Sequence, residues 1–116
     1  MSFTRFATIL LVVVAIGCSS GAPPHSRVDS QKAHELARSG ARLLDVRTVA
    51  EFNQKHVEAA VNIPVQELDA RLRELEPKDR PIVLYCRSGH RSGIAYDKLT
   101  QAGYTNVYDL GPMAAW

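Results

Sequence analysis

The sequence predicts an α/β domain with a small, mainly parallel central sheet and helices on both faces. Short apolar segments alternate with segments of helical periodicity along residues 29–116. One of the apolar segments, residues 81–86, is a continuous run of the kind found in strands that are buried on both faces. With 116 residues, of which 46% are hydrophobic, the chain has room for one such domain and not for two.

The predicted elements follow one another in a regular order. Asp29 and Ser30 are suitable N-cap residues for a first helix, which Gly40 ends. The later elements are a strand at 42–46, a helical turn at 49–55, a strand at 61–63, a helix at 65–75, a strand at 81–86, a helix at 92–102 and a strand at 106–110. The amphipathic helix at 65–75 is predicted from its spaced apolar residues, Val65, Leu68, Leu72 and Leu75.

The composition excludes several classes of protein. Fourteen Lys and Arg against twelve Asp and Glu give a formal net charge of +2, which is too little for a dedicated nucleic-acid binder, so no nucleic acid is expected as a partner. The same balance excludes an acidic, disordered chain. Two cysteines are too few for a disulfide scaffold. Because the histidines and cysteines show no metal-ligand spacing, we expect neither a metal nor a cofactor.

The first 28 residues are expected to lie outside the folded domain. Arg5 precedes an uncharged apolar run at 6–17, which is shorter than the roughly 20 residues that a membrane-spanning helix needs and is typical of a signal peptide. Residues 18–28 are rich in Ser, Gly and Pro and have little to bury, which predicts a flexible linker. The folded domain is therefore expected at residues 29–116.

The residues before Cys18 resemble the cleavage box of bacterial lipoproteins, with small Ala15 and Gly17 ahead of the cysteine. The resemblance implies a signal peptide at 1–17, cleavage before Cys18 and lipidation of its thiol. The protein would then be exported, periplasmic and anchored to a membrane through the lipid on Cys18. Ala15 departs from the pattern, in which leucine is commoner. Ordinary cleavage after Ala22 and an uncleaved anchor are the alternatives.

The chemistry is expected where the central strand ends, at Cys86. Ligands of open α/β sheets bind at the carboxyl ends of the strands. A tight loop before a helix turns backbone N–H groups inward, and Gly89 allows the loop to curl. Arg87 and Arg91 add positive charge, and these features together favour a thiolate nucleophile in a loop that binds anions. The alternative, a small buried hydrophobic side chain, is the commoner fate of an isolated cysteine.

A second group of polar residues lies upstream. Asp45 ends a predicted strand, so it is expected near the cysteine loop. Arg47 and Glu51 are four residues apart and can pair across one helical turn. These residues are interpreted either as support for the loop or as groups that only organise the strand–helix corner.

The two segments together resemble the rhodanese family of sulfurtransferases. The upstream part of the resemblance comprises Asp45-Val46-Arg47, Glu51-Phe52, His56-Val57, Ala60 and Asn62-Ile63-Pro64. The loop part is Cys86-Arg87-Ser88-Gly89-His90-Arg91-Ser92, and a weaker third part is Gly103-Tyr104, Val107 to Gly111 and Trp116. The resemblance covers residues 29–116. It departs from the family at Pro112, where a second glycine is usual after Gly111.

The resemblance implies an enzyme, a thiosulfate sulfurtransferase, with Cys86 as the catalytic residue. A persulfide on Cys86 would carry sulfane sulfur from a donor such as thiosulfate to a thiophilic acceptor, either cyanide or a thiol. The substrate would contact the loop residues Arg87, Ser88, Gly89, His90 and Arg91, with Asp45, Arg47, Glu51 and Ser92 in support. Arg87 is expected to hold the sulfonate end of the donor, whereas Arg91 either does the same or pairs with a carboxylate such as Asp45 or Glu51. His90 either adds charge or faces solvent.

Two other functions remain open. The loop also resembles that of cysteine phosphatases and arsenate reductases, but four residues separate Cys86 from Arg91 and those enzymes have one more. The longer loop makes a wider cradle for a tetrahedral oxyanion. A non-catalytic module, or one that senses oxidants through Cys86, is the other alternative, because accessible thiolates oxidise readily.

Overall fold

The computed structural model describes Gly17 and residues 24–116. The predicted lipidation site, Cys18, lies outside the described residues, as does the predicted signal peptide apart from Gly17. Among the residues that are described, the helices are too short or too polar for any of them to cross a membrane.

A single parallel sheet of four strands, in the order β2-β1-β3-β4, forms the centre of the domain. The strands are β1 (Arg42–Asp45), β2 (Val61–Asn62), β3 (Ile82–Cys86) and β4 (Val107–Pro112). Every residue of β3 is buried, as the continuous apolar run predicts. The predicted α/β class with a parallel sheet is confirmed.

The helices are α1 (Ser30–Arg38), α2 (Val49–Gln54) and α3 (His90–Gln101), with three 3-10 helices at Val65–Ala70, Leu72–Leu75 and Met113–Ala115. Asp29 caps α1, because its side chain accepts a hydrogen bond from the Lys32 N–H at 2.9 Å. Helix α3 begins two residues before its predicted start at Ser92, since Gly89 already acts as its N-cap.

The segment at 65–75 differs from its prediction. The expected continuous helix is two 3-10 helices that meet at Arg71, whose φ is −120°. Val65 and Leu68 are three residues apart, and a 3-10 helix with three residues per turn places both on one side. Leu72 and Leu75 repeat this spacing in the second helix. The apolar pattern therefore predicted the buried face correctly and the helix type wrongly.

An apolar layer covers each face of the sheet. The layer on the side of α3 includes Leu44, Leu84, Cys86, Ala95 and Leu99. The layer on the side of α1 includes Ala33, Leu43, Val83, Tyr85 and Leu110. Because side chains alternate along a strand, Tyr85 and Cys86 belong to opposite layers although they are adjacent in the chain. Each fully buried Leu contributes about 1.5–3 kcal/mol to the stability of this core.

The part of the predicted linker that the structure describes, residues 24–28, lies against the sheet. The Asp109 N–H donates to Ser26 O at 2.9 Å, and the Val28 N–H donates to Asp109 O at 3.0 Å. Arg27 thereby forms a parallel bridge with Asp109 of β4. Residues 24–28, here called the N-terminal arm, are thus paired with the open edge of β4 at the place where the sequence predicts a flexible linker. Backbone groups on a sheet edge are ready to pair with any extended chain.

Candidate active site

The candidate site lies where the strand order reverses. Strands β1 and β3 are the central pair, with β2 next to β1 on one side and β4 next to β3 on the other. Open α/β sheets form a crevice at the carboxyl ends of the strands at such a point. Asp45 is the last residue of β1, and Cys86 is the last residue of β3. The fold therefore brings two predicted site residues to the edge of the sheet at which ligands bind.

Cys86 is buried beneath the loop that leads into α3. Its side chain has no exposed surface and packs in the layer on the α3 side. Sγ accepts a hydrogen bond from the Gly89 N–H at 2.9 Å and lies 3.5 Å from Ser92 Oγ. A hydrogen bond from a backbone amide, at the positive end of a twelve-residue helix, stabilises negative charge on the sulfur. The environment is apolar on one side of Sγ and polar on the other.

Gly89 shapes the loop. Its φ of +95° lies in the left-handed region, which a glycine adopts without a Cβ clash. This conformation turns the Gly89 N–H back toward Sγ, while the Gly89 carbonyl accepts a hydrogen bond from Ser92 Oγ at 3.1 Å. Ser92 therefore holds the loop that covers the sulfur. The predicted role of Gly89 in curling the loop agrees with this geometry.

The other loop residues face outward. Arg87 and Ser88 are exposed, and so is His90, the first residue of α3. The exposure of His90 corresponds to the second of the two positions expected for it. Arg87 has its charge at the surface, directly after the nucleophile candidate Cys86.

Arg91 pairs with Glu51, which is one of the two arrangements expected for it. Nη1 and Nη2 of Arg91 donate to Oε1 and Oε2 of Glu51 at 2.6 and 3.0 Å. The Arg91 guanidinium lowers the pKa of Glu51 to about 2 through this hydrogen bond. The pKa of Arg91 is raised, first by the hydrogen bond to Glu51 and to a smaller extent by charge on Cys86. The pair joins α2 to the first turn of α3, next to the loop.

The predicted pair between Arg47 and Glu51 is wrong, because a nearer carboxylate takes Arg47. Asp45 is fully buried, and its Oδ2 accepts from Arg47 Nη2 at 2.7 Å. Asp45 Oδ1 also accepts from the Arg47 N–H at 2.9 Å, and Arg47 Nη2 donates to Lys55 O at 2.7 Å. Asp45 and Arg47 therefore organise the corner between β1 and α2.

Tyr85 lies between this corner and the α1 layer, on the sheet face opposite Cys86. The Arg47 guanidinium carbon lies 5.6 Å from the centre of the Tyr85 ring. Tyr85 Oη accepts a hydrogen bond from the Val57 N–H at 3.1 Å. Burial is the main cause that raises the pKa of Tyr85 to about 12, so the phenol stays neutral at physiological pH.

In residues 24–116 and Gly17, no cluster of three or more His, Cys, Asp or Glu side chains has the arrangement needed to bind a metal ion. The site places the Cys86 sulfur next to the Gly89 amide, with Arg87 in the same loop and Arg91 in the first turn of α3.

The comparison with protein families settles which family this loop belongs to. A family model described as the rhodanese-like domain matches residues 29–116. The chain belongs to this family.

Relatives of this rhodanese-like domain carry sulfurtransferase names. A sulfurtransferase of Allochromatium vinosum is 44% identical over 75 residues, which are 64% of this chain and 69% of the relative. The thiosulfate sulfurtransferase PspE of Escherichia coli is 38% identical over 69 residues, which are 59% of this chain and 66% of PspE. The rhodanese-like domain is thus a member of a family of sulfurtransferases.

Solved structures show the same fold. A rhodanese-related protein of Thermoplasma volcanium has a TM-score of 0.70 at 27% identity, over 79% of this chain and 90% of that one. A structure described as "rhodanese with anions from E. coli" has a TM-score of 0.63 at 33% identity, over 66% of this chain and 92% of that one. The α/β fold expected from the resemblance is confirmed.

Some contacts of this rhodanese-like domain near the loop and the N-terminal arm are absent from the sequence predictions. Thr48 Oγ1 accepts from the Glu51 N–H at 3.2 Å, and Glu51 Oε1 accepts from the Thr48 N–H at 3.3 Å. A Thr followed three residues later by Glu is the signal of such a capping box, and it was available in the sequence. His25 and Asp109 had no comparable signal, because their hydrogen bond spans 84 positions.

Proposed function

We propose that this rhodanese-like domain is a thiosulfate sulfurtransferase that forms a persulfide on Cys86. The observation that supports the proposal most strongly is the hydrogen bond of 2.9 Å from the Gly89 N–H to Sγ, at the N-terminus of α3. A thiolate and a persulfide anion both gain from such a donor, because each carries negative charge on sulfur.

In the first step, the Cys86 thiolate attacks the outer sulfur of thiosulfate. A sulfur–sulfur bond forms to Sγ, the sulfur–sulfur bond of the donor breaks, and the bonding electrons leave with sulfite. The charge balances, since a monoanion and a dianion give a persulfide monoanion and sulfite dianion. No proton transfer is required.

In the second step, an acceptor attacks the outer sulfur of the persulfide. With cyanide, a carbon–sulfur bond forms, the Sγ–sulfur bond breaks, and thiocyanate leaves while the Cys86 thiolate is regenerated. A thiol acceptor takes the same sulfur as a persulfide of its own. Because the donor product leaves before the acceptor reacts, the kinetics are of the ping-pong type.

The charged residues near the end of the central strands have three roles in this proposal. Arg87 is exposed, and its guanidinium fork suits the sulfonate oxygens of the donor. Arg91 is held by two hydrogen bonds to Glu51, so it fixes the first turn of α3 and acts on the sulfur through its charge. Asp45 and Arg47 lie in contact with Tyr85, on the other side of the sheet, and support the corner before α2.

Access to the sulfur requires motion of the loop. Sγ has no exposed surface, whereas Arg87 and Ser88, which follow it, are exposed. A donor therefore reaches Sγ only when this loop moves outward. Residues 87 and 88 make no side-chain hydrogen bonds with the rest of residues 24–116. The hydrogen bond that their displacement affects is the one to Sγ from the Gly89 N–H, which belongs to the peptide unit after Ser88.

Full burial of Cys86 also fits a competing function, a non-catalytic module of the same family. An oxidant-sensing module would need the same outward motion of the loop, because only an accessible thiolate oxidises readily. A steady-state assay separates sulfur transfer from the competing functions. The purified chain is given thiosulfate and cyanide, and thiocyanate is measured over a grid of both concentrations. We expect parallel double-reciprocal plots, with no activity in Cys86→Ser. Release of phosphate from an aryl phosphate would instead indicate a phosphatase. If neither assay detects activity and treatment with peroxide forms a sulfenic acid on Cys86, the oxidant-sensing module is indicated.

We further propose that the protein is exported and anchored through a lipid on Cys18. The support is the sequence pattern around Cys18 alone. Growth with a radioactive fatty acid should label the wild-type chain and leave Cys18→Ala unlabelled. Equal labelling, or label in neither, would contradict the anchor.

A further inference from the structure

Arg27 of the N-terminal arm lies over two glycines that border the Cys86 loop. A Cβ built on Gly111 would lie 2.7 Å from Arg27 Nη1. A Cβ built on Gly89 would lie 3.6 Å from Nη1 and 3.9 Å from Nη2, and 3.7 Å from the Cα of Gly111. The guanidinium is able to rest here because neither residue has a side chain. It is thereby placed beside Gly89, whose N–H binds Sγ.

A buried carboxylate holds this arrangement. Asp109 is fully buried, and its Oδ1 accepts from the Gly111 N–H at 2.8 Å. Its Oδ2 shares a hydrogen bond of 2.7 Å with His25 Nε2 and lies 3.5 Å from Arg27 Nη1. The His25 ring stacks on Tyr96 of α3 with the ring centres 4.0 Å apart. Asp109 thus fastens the arm to β4 and α3 on both sides of Arg27.

The charge of Arg27 nevertheless faces solvent. Its side chain is 61% exposed, and its contact with Asp109 is at the limit of a hydrogen bond. Arg91, by contrast, is about a quarter exposed and is paired with Glu51 at 2.6 Å. In the part of the chain that the structure describes, Arg87 and Arg27 are therefore the cations beside the loop that are exposed enough to attract an anion from outside.

We propose that Arg27 is a further specificity-determining residue of the Cys86 site, which acts through its charge to favour anionic over neutral reagents at the sulfur. The inference rests on the proposed function and deepens it, because it assigns a residue outside the loop to the selection of an anionic donor. A single cation that acts across a partly solvated site changes the rate of an anionic reagent by about three- to tenfold, and salt screens the effect.

Two reagents of nearly equal size, iodoacetate and iodoacetamide, test the charge alone. The full chain is alkylated with each, and the rate at Cys86 is measured from the mass of the peptide that carries it. We expect the iodoacetate-to-iodoacetamide rate ratio to fall about three- to tenfold in Arg27→Gln and to stay near the wild-type value in Arg27→Lys. Added salt should bring the wild-type ratio toward that of Arg27→Gln.

Arg73→Gln is the matched control, because Arg73 is exposed in the second 3-10 helix, which precedes the start of β3. Three results would overturn the role of Arg27. They are an iodoacetate-to-iodoacetamide rate ratio that does not change in Arg27→Gln, an equal fall of this ratio in Arg73→Gln, and a wild-type ratio that does not change with added salt. A positioning role without charge would slow both reagents equally in Arg27→Gln and in Arg27→Lys.

A parallel incubation with thiosulfate separates this inference from the proposed function. A ratio that depends on Arg27 in a chain that forms no persulfide would refute sulfur transfer and leave the anion-selecting role. If the chain forms a persulfide but the iodoacetate-to-iodoacetamide rate ratio is the same in wild type and Arg27→Gln, only the role of Arg27 is refuted. Failure of either reagent to reach Cys86 in the native chain would overturn the role of Arg27, and the thiosulfate incubation would still decide sulfur transfer.

Discussion

Gly89 connects the backbone conformation to the chemistry of the site. Its φ of +95° makes the turn from β3 into α3, and the same turn directs its N–H to Cys86 Sγ. A residue with a Cβ is strained at this φ by about 1 kcal/mol or more. Gly89 therefore links the backbone conformation of the loop to the hydrogen bonding of the sulfur.

Gly89→Ala should lower the rate of persulfide formation at least about tenfold while the chain remains folded, because the loop loses the conformation that supplies the amide to Sγ. The measurement is single-turnover transfer from thiosulfate alongside thermal unfolding. Gly40→Ala is the control, since Gly40 has a φ of +98° and open space around its Cβ position, away from the loop. Similar rates in both variants would contradict the role of Gly89.

The pair between Glu51 and Arg91 predicts a dependence of stability on acid. The pKa of Glu51 is lowered from 4.5 to about 2 by the hydrogen bond from Arg91, so folding favours the ionised carboxylate. Its contribution is complete above pH 4.5 and is lost as the pH falls toward 2. Because both side chains are about a quarter exposed, the contribution is about 1–2 kcal/mol at most.

Urea unfolding of wild type and Glu51→Gln across pH 2–6 measures this contribution directly. Wild type should be the more stable at pH 6, and the difference should shrink as the pH falls toward 2. A difference that is constant over the range would show that Glu51 does not ionise with a lowered pKa. Glu58→Gln is a suitable control, because Glu58 is exposed.

At the scale of elements, local sequence patterns predicted the strands and helix ends that depend only on residues nearby in the chain. The apolar run at 81–86 and the cap at Asp29 are of this kind. The pairing of the N-terminal arm was not predictable, because Val28 finds its partner Asp109 only in the folded sheet. Arg91 and Glu51 are likewise 40 positions apart. Cys86 and its loop could be identified from the sequence, whereas the contacts that support the loop could not.

The arm supplies a prediction at this scale. Asp109→Asn removes the charge that His25 and Arg27 share, and it should destabilise the domain by about 1–3 kcal/mol. Hydrogen exchange at the Val28 N–H, which is bonded to Asp109 O, should become faster. Asp97→Asn is the control, because Asp97 is exposed on α3. Unchanged protection of Val28 in Asp109→Asn would show that the backbone pairing alone holds the arm.

At the scale of the whole molecule, one sheet with an apolar layer on each face positions the loop. Cys86 and Leu84 project into the same layer, so the packing of this layer fixes where β3 ends and the loop begins. The layer is formed by residues from distant parts of the chain, and its stability is shared by all of them. The site therefore depends on the integrity of the core.

Leu84→Ala should test this dependence. Leu84 is fully buried, and truncation of such a side chain costs about 2–5 kcal/mol. Thermal unfolding should show a lower midpoint, and the variant should still form a persulfide at temperatures where it is folded. Ile94→Ala, at a residue that is 39% exposed, should change stability little. Equal effects of the two substitutions would contradict the assignment of the core.

The most direct test of the account is the intact mass of the chain after incubation with thiosulfate and removal of the excess. The account predicts a gain of one sulfur atom on wild type, its loss on addition of cyanide with one thiocyanate released, and no gain in Cys86→Ser. A wild-type mass that does not change, while the Cys86 thiol remains free, would contradict sulfur transfer by this protein.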